Sequence, residues 1–235
     1  AMRAAGVDML DIGGESTRPG AETVPEDEEI ARVRPVIEGL RAAGPGAISI
    51  DTRKAAVAEA AVAAGADLVN DVAGLTFDPA LAPFCAARNL PVCVMHAQGD
   101  PATMQRDPQY ENVLLDVYDY LAGRITALEA EGIGRHNIIA DPGIGFGKTL
   151  EHNLTLLANI SLFHSLGVPI LLGASRKRFI GTIGGGAAGE DRAPGSIAVA
   201  LAALSHGVQV LRVHDVAQTI QSISLYRAAL TGKQL

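Results

Sequence analysis

Polar side chains recur where short apolar runs end: Asp11, Asp51, Asn70, His96, Asp141, Ser175 with Lys177, and Arg212 with His214. Asp51, Asn70 and Asp141 offer the acceptors that the N–H edge of a donor-rich heterocycle requires. Lys177, Arg212 and Arg18 offer the charge that a phosphate-type group requires. Asp141 directly follows Ile138-Ile139-Ala140, so its carboxylate is expected to be buried and to need a partner, either a ligand or a neighbouring cation. Arg212 and His214 share parity on one strand and so face one side. The run Ser175-Arg176-Lys177-Arg178 is the densest positive cluster in the chain. Such a run is often only solvated charge, but a strand end in an acidic chain favours an anion or a ring carbonyl as its partner.

Other motifs narrow the chemistry. Asp141-Pro142-Gly143-Ile144-Gly145-Phe146-Gly147-Lys148-Thr149 fails as a phosphate-binding P-loop, because three residues separate Gly143 from Gly147 where four are needed. It also lacks the wider second gap of a dinucleotide fingerprint. Gly13-Gly14-Glu15-Ser16-Thr17-Arg18-Pro19-Gly20 is a long polar connection of the kind that often closes over a site, with Arg18 its only cation. His136, His152, His164 and His206 fall in helices or loops and are expected at the surface. The absence of a His-x-x-x-His or a close cysteine pair argues against tightly held zinc.

The elements that must position these groups alternate along the whole chain. Seven short apolar runs, at 7–12, 47–50, 67–69, 91–95, 137–140, 169–172 and 208–213, read as parallel strands covered on both faces. Helical spacing occupies 26–43, 54–64, 78–88, 108–131, 150–166, 195–206 and 215–230. Gly65, Gly132, Gly167 and Gly207 stand where left-handed helix ends belong. Pro25 suits a first helical turn, and Pro35 is expected to kink or split its helix. Repeated strand–helix units form either an open doubly wound sheet or a closed barrel. An open sheet concentrates ligand groups at one switch point, whereas here nearly every strand end contributes, which favours a (β/α)8 TIM barrel. One strand is lacking from the count, so the first strand and most of the first helix are expected to lie outside residues 1–235. A seven-stranded, half-open barrel is the alternative, with two unpaired edges.

Composition sets the class. The 235 residues are 48% hydrophobic, 19% charged and 4% aromatic, which suits a single globular domain spanning 1–235. A net charge of −7 excludes a general electrostatic grip on nucleic acid or an anionic membrane. No apolar stretch approaches the roughly 20 residues of a membrane span. Cys85 and Cys93 are expected to be buried, reduced thiols of a cytoplasmic protein.

The ordered segments Asp11–Gly20, Ile50-Asp51-Thr52, Asn70-Asp71-Val72, Met95-His96, Asp141–Lys148, Ser175-Arg176-Lys177 and Arg212-Val213-His214-Asp215 resemble the bacterial dihydropteroate synthase family over essentially the whole chain. That resemblance implies a transferase of folate biosynthesis, inhibited by sulfonamides. It would condense 6-hydroxymethyl-7,8-dihydropterin diphosphate with p-aminobenzoate, by a cation-like displacement of pyrophosphate with Mg²⁺ as cofactor. It further implies that Asp51, Asn70, Asp141, Met95, Phe146 and Lys177 bind the pterin, and that Thr17, Arg212 and His214 contact the diphosphate substrate. Thr17, Arg18, Pro19, Ser175 and Arg176 would form the p-aminobenzoate side and its lid, with Arg18, Lys177, Arg212 and His214 stabilising the reaction and Asp11 as a metal ligand. A family loop whose Asn supplies a metal ligand has no match in the chain. A protein truly starting at Ala1 is therefore expected to turn over poorly while still binding pterin. The family's members are usually homodimers. Two alternatives share the pterin-site acids: the pterin-binding domain of a corrinoid methyltransferase, and a catalytically dead pterin-binding module.

Overall fold

The computed structural model describes residues 1–16, 21–99, 107–186 and 189–233. Seven strands form among them: β1 (Met9–Gly13), β2 (Ala47–Asp51), β3 (Leu68–Asp71), β4 (Val92–Met95), β5 (Ile138–Asp141), β6 (Leu171–Leu172) and β7 (Val210–Leu211). All the pairings are parallel, β1 through β5 in one sheet and β6 with β7, and a bridge from Ala140 to Ile170 carries the order from β5 towards β6. Helices α1 (Glu26–Ala42), α2 (Ala55–Ala64), α3 (Leu81–Ala87), α4 (Val113–Ala130) and α5 (Leu150–Ala158) make the first five crossovers. Between β6 and β7 lie α6 (Arg178–Gly184) and α7 (Ala193–Ser205), and α8 (Val216–Thr231) follows β7. The strands curl until side chains from the last reach the first: Arg212, just past β7, donates from Nε to Asp11 Oδ2 of β1 at 2.6 Å. This is the (β/α)8-barrel fold.

Period-two alternation sorts the strand residues onto two faces. Leu68, Cys93, Ile139, Leu171 and Val210 pack together as a small apolar cluster separate from the main core. Two residues further along the same strand faces come Asn70, Met95, Asp141, Gly173 and Arg212, so the polar groups form a layer directly above an apolar plug. Outward-facing Ile48, Ile50, Val69, Val92, Val94 and Ile138 join the main core with Val33 and Ile37 of α1 and Val117, Leu121, Ile125 and Leu128 of α4. Each such fully buried aliphatic side chain contributes about 1.5–3 kcal/mol of apolar transfer. Cys85 and Cys93 are buried and free.

Several helix boundaries differ from the sequence expectation for local reasons. α1 runs unbroken through Pro35. α3 begins at Leu81, not Asp78, because Asp78 Oδ2 accepts from Ala55 N at the start of α2 (2.7 Å). α4 begins at Val113, where Asn112 Oδ1 caps Leu114 N at 3.1 Å. The stretch expected as one helix over 150–166 divides at Asn159, φ −117° and ψ 22°, into α5 and a 3₁₀ segment, Ile160–Leu166. α6 was not foreseen. Gly65, Gly132, Gly167 and Gly207 all have positive φ, as their helix-end positions require. No described helix is long and apolar enough to cross a membrane.

Candidate active site

At the C-terminal mouth of the strands, pairing brings Gly13 beside Asp51 and Asp51 beside Asn70, while Met95 pairs with Asp141. Arg212 joins the acids: besides Asp11 it reaches Asp51 Oδ2 from Nη2 at 3.4 Å, and Asn70 Nδ2 donates to Asp11 Oδ2 at 3.3 Å. Burial would lower the Arg212 pKa, but Asp11 and Asp51 outweigh it and hold the guanidinium charged. Burial, with the adjacent Asp11 carboxylate, pushes the Asp51 pKa up to about 8. Asp141 is also raised by burial, against the pull of Lys177. These acids lie away from water and short of donors, so they favour a ligand that supplies N–H groups. Asp11 Oδ1 is buried without a hydrogen-bond partner among the described residues.

The glycine-rich turn after β5 is fitted closely to the end of β4. Gly143 has φ +69°, and a Cβ there would lie 1.9 Å from the His96 carbonyl oxygen, so only glycine fits. Its N–H donates to Asp141 Oδ1 at 2.7 Å, which uses one side of that carboxylate and leaves Oδ2 near Gly173. Lys148, almost fully buried, ties the turn down: Nζ meets His96 Nδ1 at 2.9 Å, the Phe146 carbonyl at 3.0 Å and the His96 carbonyl at 3.3 Å. Burial lowers the Lys148 pKa to about 7, and burial together with Lys148 lowers that of His96 to about 3. His96 is therefore a neutral acceptor within this brace. Lys177 donates to the Ile144 carbonyl and sits 4.4 Å above the Phe146 ring, with its pKa lowered by burial to about 8. Met95 is buried and Phe146 half-buried at the same mouth.

Ser175 and His214 meet across the turns that follow β6 and β7, with Oγ 3.0 Å from Nδ1. Arg176, expected on the p-aminobenzoate side, forms a two-point ion pair with Asp215. Thr17, Arg18 and Pro19 lie outside the described residues. Asp11, Asp51, Asn70, Met95, Asp141, Phe146, Lys177 and Arg212 are thus gathered at one mouth, with Ser175 and His214 on the turns beside it.

Sequence reasoning missed a buried ionic cluster at the base of the connection after β1. Glu15 Oε1 accepts from Arg53 Nη2 at 2.6 Å, and Glu15 Oε2 accepts from Lys54 Nζ at 2.8 Å and from Val24 N at 2.8 Å. Lys54 Nζ also donates to Glu29 Oε2 at 2.6 Å and to the Val24 carbonyl at 2.6 Å. One signal was available: Glu29, Val33 and Ile37 follow helical i, i+4 spacing, which puts a carboxylate on the buried stripe of α1. Lys148 was visible only as the end of the glycine-rich motif.

A parallel barrel with acids and cations at its C-terminal mouth binds ligands through its strand ends. The family model described as pterin binding enzyme matches residues 1–214, and the chain belongs to that class. A dihydropteroate synthase of Escherichia coli (strain K12) is 41% identical over 230 residues, covering 98% of this chain and 81% of that protein. The Yersinia pestis dihydropteroate synthase, solved with a sulfonamide drug complex, superposes with a TM-score of 0.94 at 41% identity, covering 98% of this chain and 83% of its own. The Xanthomonas albilineans enzyme, solved with 4-aminobenzoic acid, gives 0.93 at 44% identity, covering 98% and 82%. Within the pterin-binding class, this chain's family is that of the dihydropteroate synthases.

Proposed function

We propose that the chain condenses 6-hydroxymethyl-7,8-dihydropterin diphosphate with p-aminobenzoate, giving 7,8-dihydropteroate and pyrophosphate. The observation that carries this reading is the polar layer itself: Asp51, Asn70 and Asp141 share a mouth with Arg212 and Lys177. A pterin carries N–H donors on one edge and a ring carbonyl beside them. Asp141 Oδ2, Asp51 and Asn70 would take that edge, with Lys177 donating to the carbonyl and Met95 and Phe146 covering the ring faces. Arg212 and His214 would hold the diphosphate, Ser175 the p-aminobenzoate side, and Thr17, Arg18 and Pro19 would close over both.

No protein nucleophile is required. The bond between the pterin methylene and the diphosphate oxygen breaks, its electron pair leaves with pyrophosphate, and a cation remains, spread over the dihydropterin ring. The amine of p-aminobenzoate supplies the pair for the new C–N bond and then sheds a proton. Preorganised charge lowers the barrier: carboxylates beside the ring favour its positive form, and Arg212, His214 and Arg18 favour the departing anion. Closure over the site keeps out water that would capture the cation.

The residues also fit Mg²⁺, which is commonly bound by one or two carboxylates together with substrate phosphates. Asp11, with its unpartnered buried Oδ1, would hold it beside Asp51. Such an ion supplies charge neutralisation for the diphosphate. By resemblance to its family, the protein works as a homodimer in the cytoplasm. The decisive experiment measures pyrophosphate release from the pterin diphosphate, with and without p-aminobenzoate and Mg²⁺. Release that requires both supports the reading. Absence of release together with absence of pterin binding by calorimetry would overturn it.

A further inference from the structure

The turns after β6 and β7 are joined by neighbouring residues acting in pairs. Ser175 Oγ accepts the His214 backbone N–H at 3.2 Å and lies 3.0 Å from His214 Nδ1. The next residues form the second link: Arg176 Nε donates to Asp215 Oδ2 at 3.0 Å, and Arg176 Nη2 to Asp215 Oδ1. Asp215 is 8% exposed and the Arg176 side chain 26%, so the carboxylate is buried while the guanidinium keeps part of its surface in solvent. Its backbone carbonyl in turn accepts from Thr219 N and Thr219 Oγ1 at 2.9 and 2.7 Å, which anchors the first turn of α8.

Arg176 is held in place with unusual backbone geometry. Its φ is +59°, a left-handed conformation that L side chains adopt only under constraint. The constraint comes from the start of α7, where Ser196 Oγ accepts Arg176 N–H at 2.8 Å and Arg192 Nη1 donates to the Arg176 carbonyl at 3.3 Å. A guanidinium aimed this way spends its fork on Asp215. Ser175 adds a chemical constraint. Its oxygen accepts the backbone N–H of His214 and lies 3.0 Å from Nδ1, so one hydroxyl fixes both the backbone and the ring of that residue.

We propose that Arg176 is a positioning residue and not a substrate ligand: with Asp215 it clamps the two turns together and so fixes His214 for the diphosphate end of the site. The inference rests on the reading of Arg212 and His214 as diphosphate ligands. Its signature is selective. Loss of the clamp weakens the part of binding contributed by the diphosphate and spares the pterin edge, which is held by Asp51, Asn70 and Asp141.

The test compares calorimetric binding of 6-hydroxymethylpterin with that of its diphosphate, for the wild-type chain, Arg176→Met and the paired variant Arg176→Met/Asp215→Leu. The paired variant removes both charges, so it leaves no unpaired buried ion if the single change folds poorly. The expected result is at least a 10-fold loss of the affinity gained from the diphosphate in both variants. Binding of 6-hydroxymethylpterin should stay within 2-fold, and KM for p-aminobenzoate should change by less than the diphosphate increment. A raised KM for p-aminobenzoate with the diphosphate increment intact would make Arg176 a substrate ligand and overturn the proposal. Equal losses for both pterins would also overturn it. An unchanged increment would sink the clamp alone, whereas a wild-type chain that gains nothing from the diphosphate would sink the reading of the site and the clamp with it.

Discussion

Lys54→Met removes the only amine among the described residues that touches both Glu15 and Glu29. In the wild-type cluster the Lys54 side chain is 6% exposed, Glu15 6% and Glu29 1%. The variant keeps the volume and the apolar stem of the side chain. Glu29 is left with the Thr52 hydroxyl at 2.9 Å, and Glu15 keeps Arg53 and Val24 N. Removing one partner of a buried ion pair typically costs about 3–5 kcal/mol, because the other charge stays desolvated. In a domain of 150–250 residues each kcal/mol is worth about 2–4 °C, so Tm should fall by roughly 6–20 °C. The pH dependence has a defined sign. Burial opposes the charge on Glu15, but the bonds from Lys54, Val24 and Arg53 prevail and lower its pKa below the ordinary 4.5. Its contribution is therefore present above 4.5 and lost as pH falls through the lowered value. Lys54 is the mirror case: burial opposes its charge, Glu15 and Glu29 raise it, and its contribution is present below 10.5 and lost above the raised value. The deficit of the variant should be greatest in the window between those limits and shrink in acid, where Glu15, no longer held down by Lys54, takes up a proton more readily. Urea unfolding at about pH 7.5 and about pH 4.5 measures both. A loss under about 1 kcal/mol at the higher pH, as exposed ion pairs give, would refute the argument from burial. So would a deficit that does not change in acid.

Asp141→Asn keeps an oxygen for Gly143 N–H but removes the charge that the proposed function assigns to the pterin edge. Hydrogen bonds to charged groups contribute about 1.5–3 kcal/mol, so pterin affinity by calorimetry should fall about 10- to 100-fold without a change in fold. Gly143→Ala places a methyl 1.9 Å from the His96 carbonyl at φ +69°. It should cost more than about 2 kcal/mol in denaturant unfolding and abolish pterin binding, and a near-neutral result would contradict the close approach of the two segments. Lys177, lowered to about 8 by burial, would give the proposed ring carbonyl a charge-assisted hydrogen bond only as the ammonium. kcat/KM for the pterin diphosphate should therefore fall as pH rises through about 8, and that limb should vanish in Lys177→Gln.

Much of this protein was legible in one dimension, because period-two and period-3.6 patterns are local properties. All seven strands lie where the apolar runs place them, and the polar residue closing each run marks the mouth of the barrel. The ends of the helices were less legible. They depend on partners distant in sequence, as when Asp78 caps α2 and so delays α3, or on a single side chain such as Asn159 beneath the division of 150–166.

The sequence by itself determined which residues face the mouth, since alternation along Val210-Leu211-Arg212 or Ile139-Ala140-Asp141 leaves a strand no choice of side. Tertiary structure decided which of those groups meet. Closure of the barrel sets Arg212 against Asp11, 201 residues away, and raises Asp51 by burial beside a second acid. It also turns Arg176 from an apparent open cation into the partner of Asp215. The physical reason is range. Hydrophobic periodicity acts between neighbours on one element, whereas burial, charge pairing and hydrogen bonding between turns exist only once the strands have closed around a common axis.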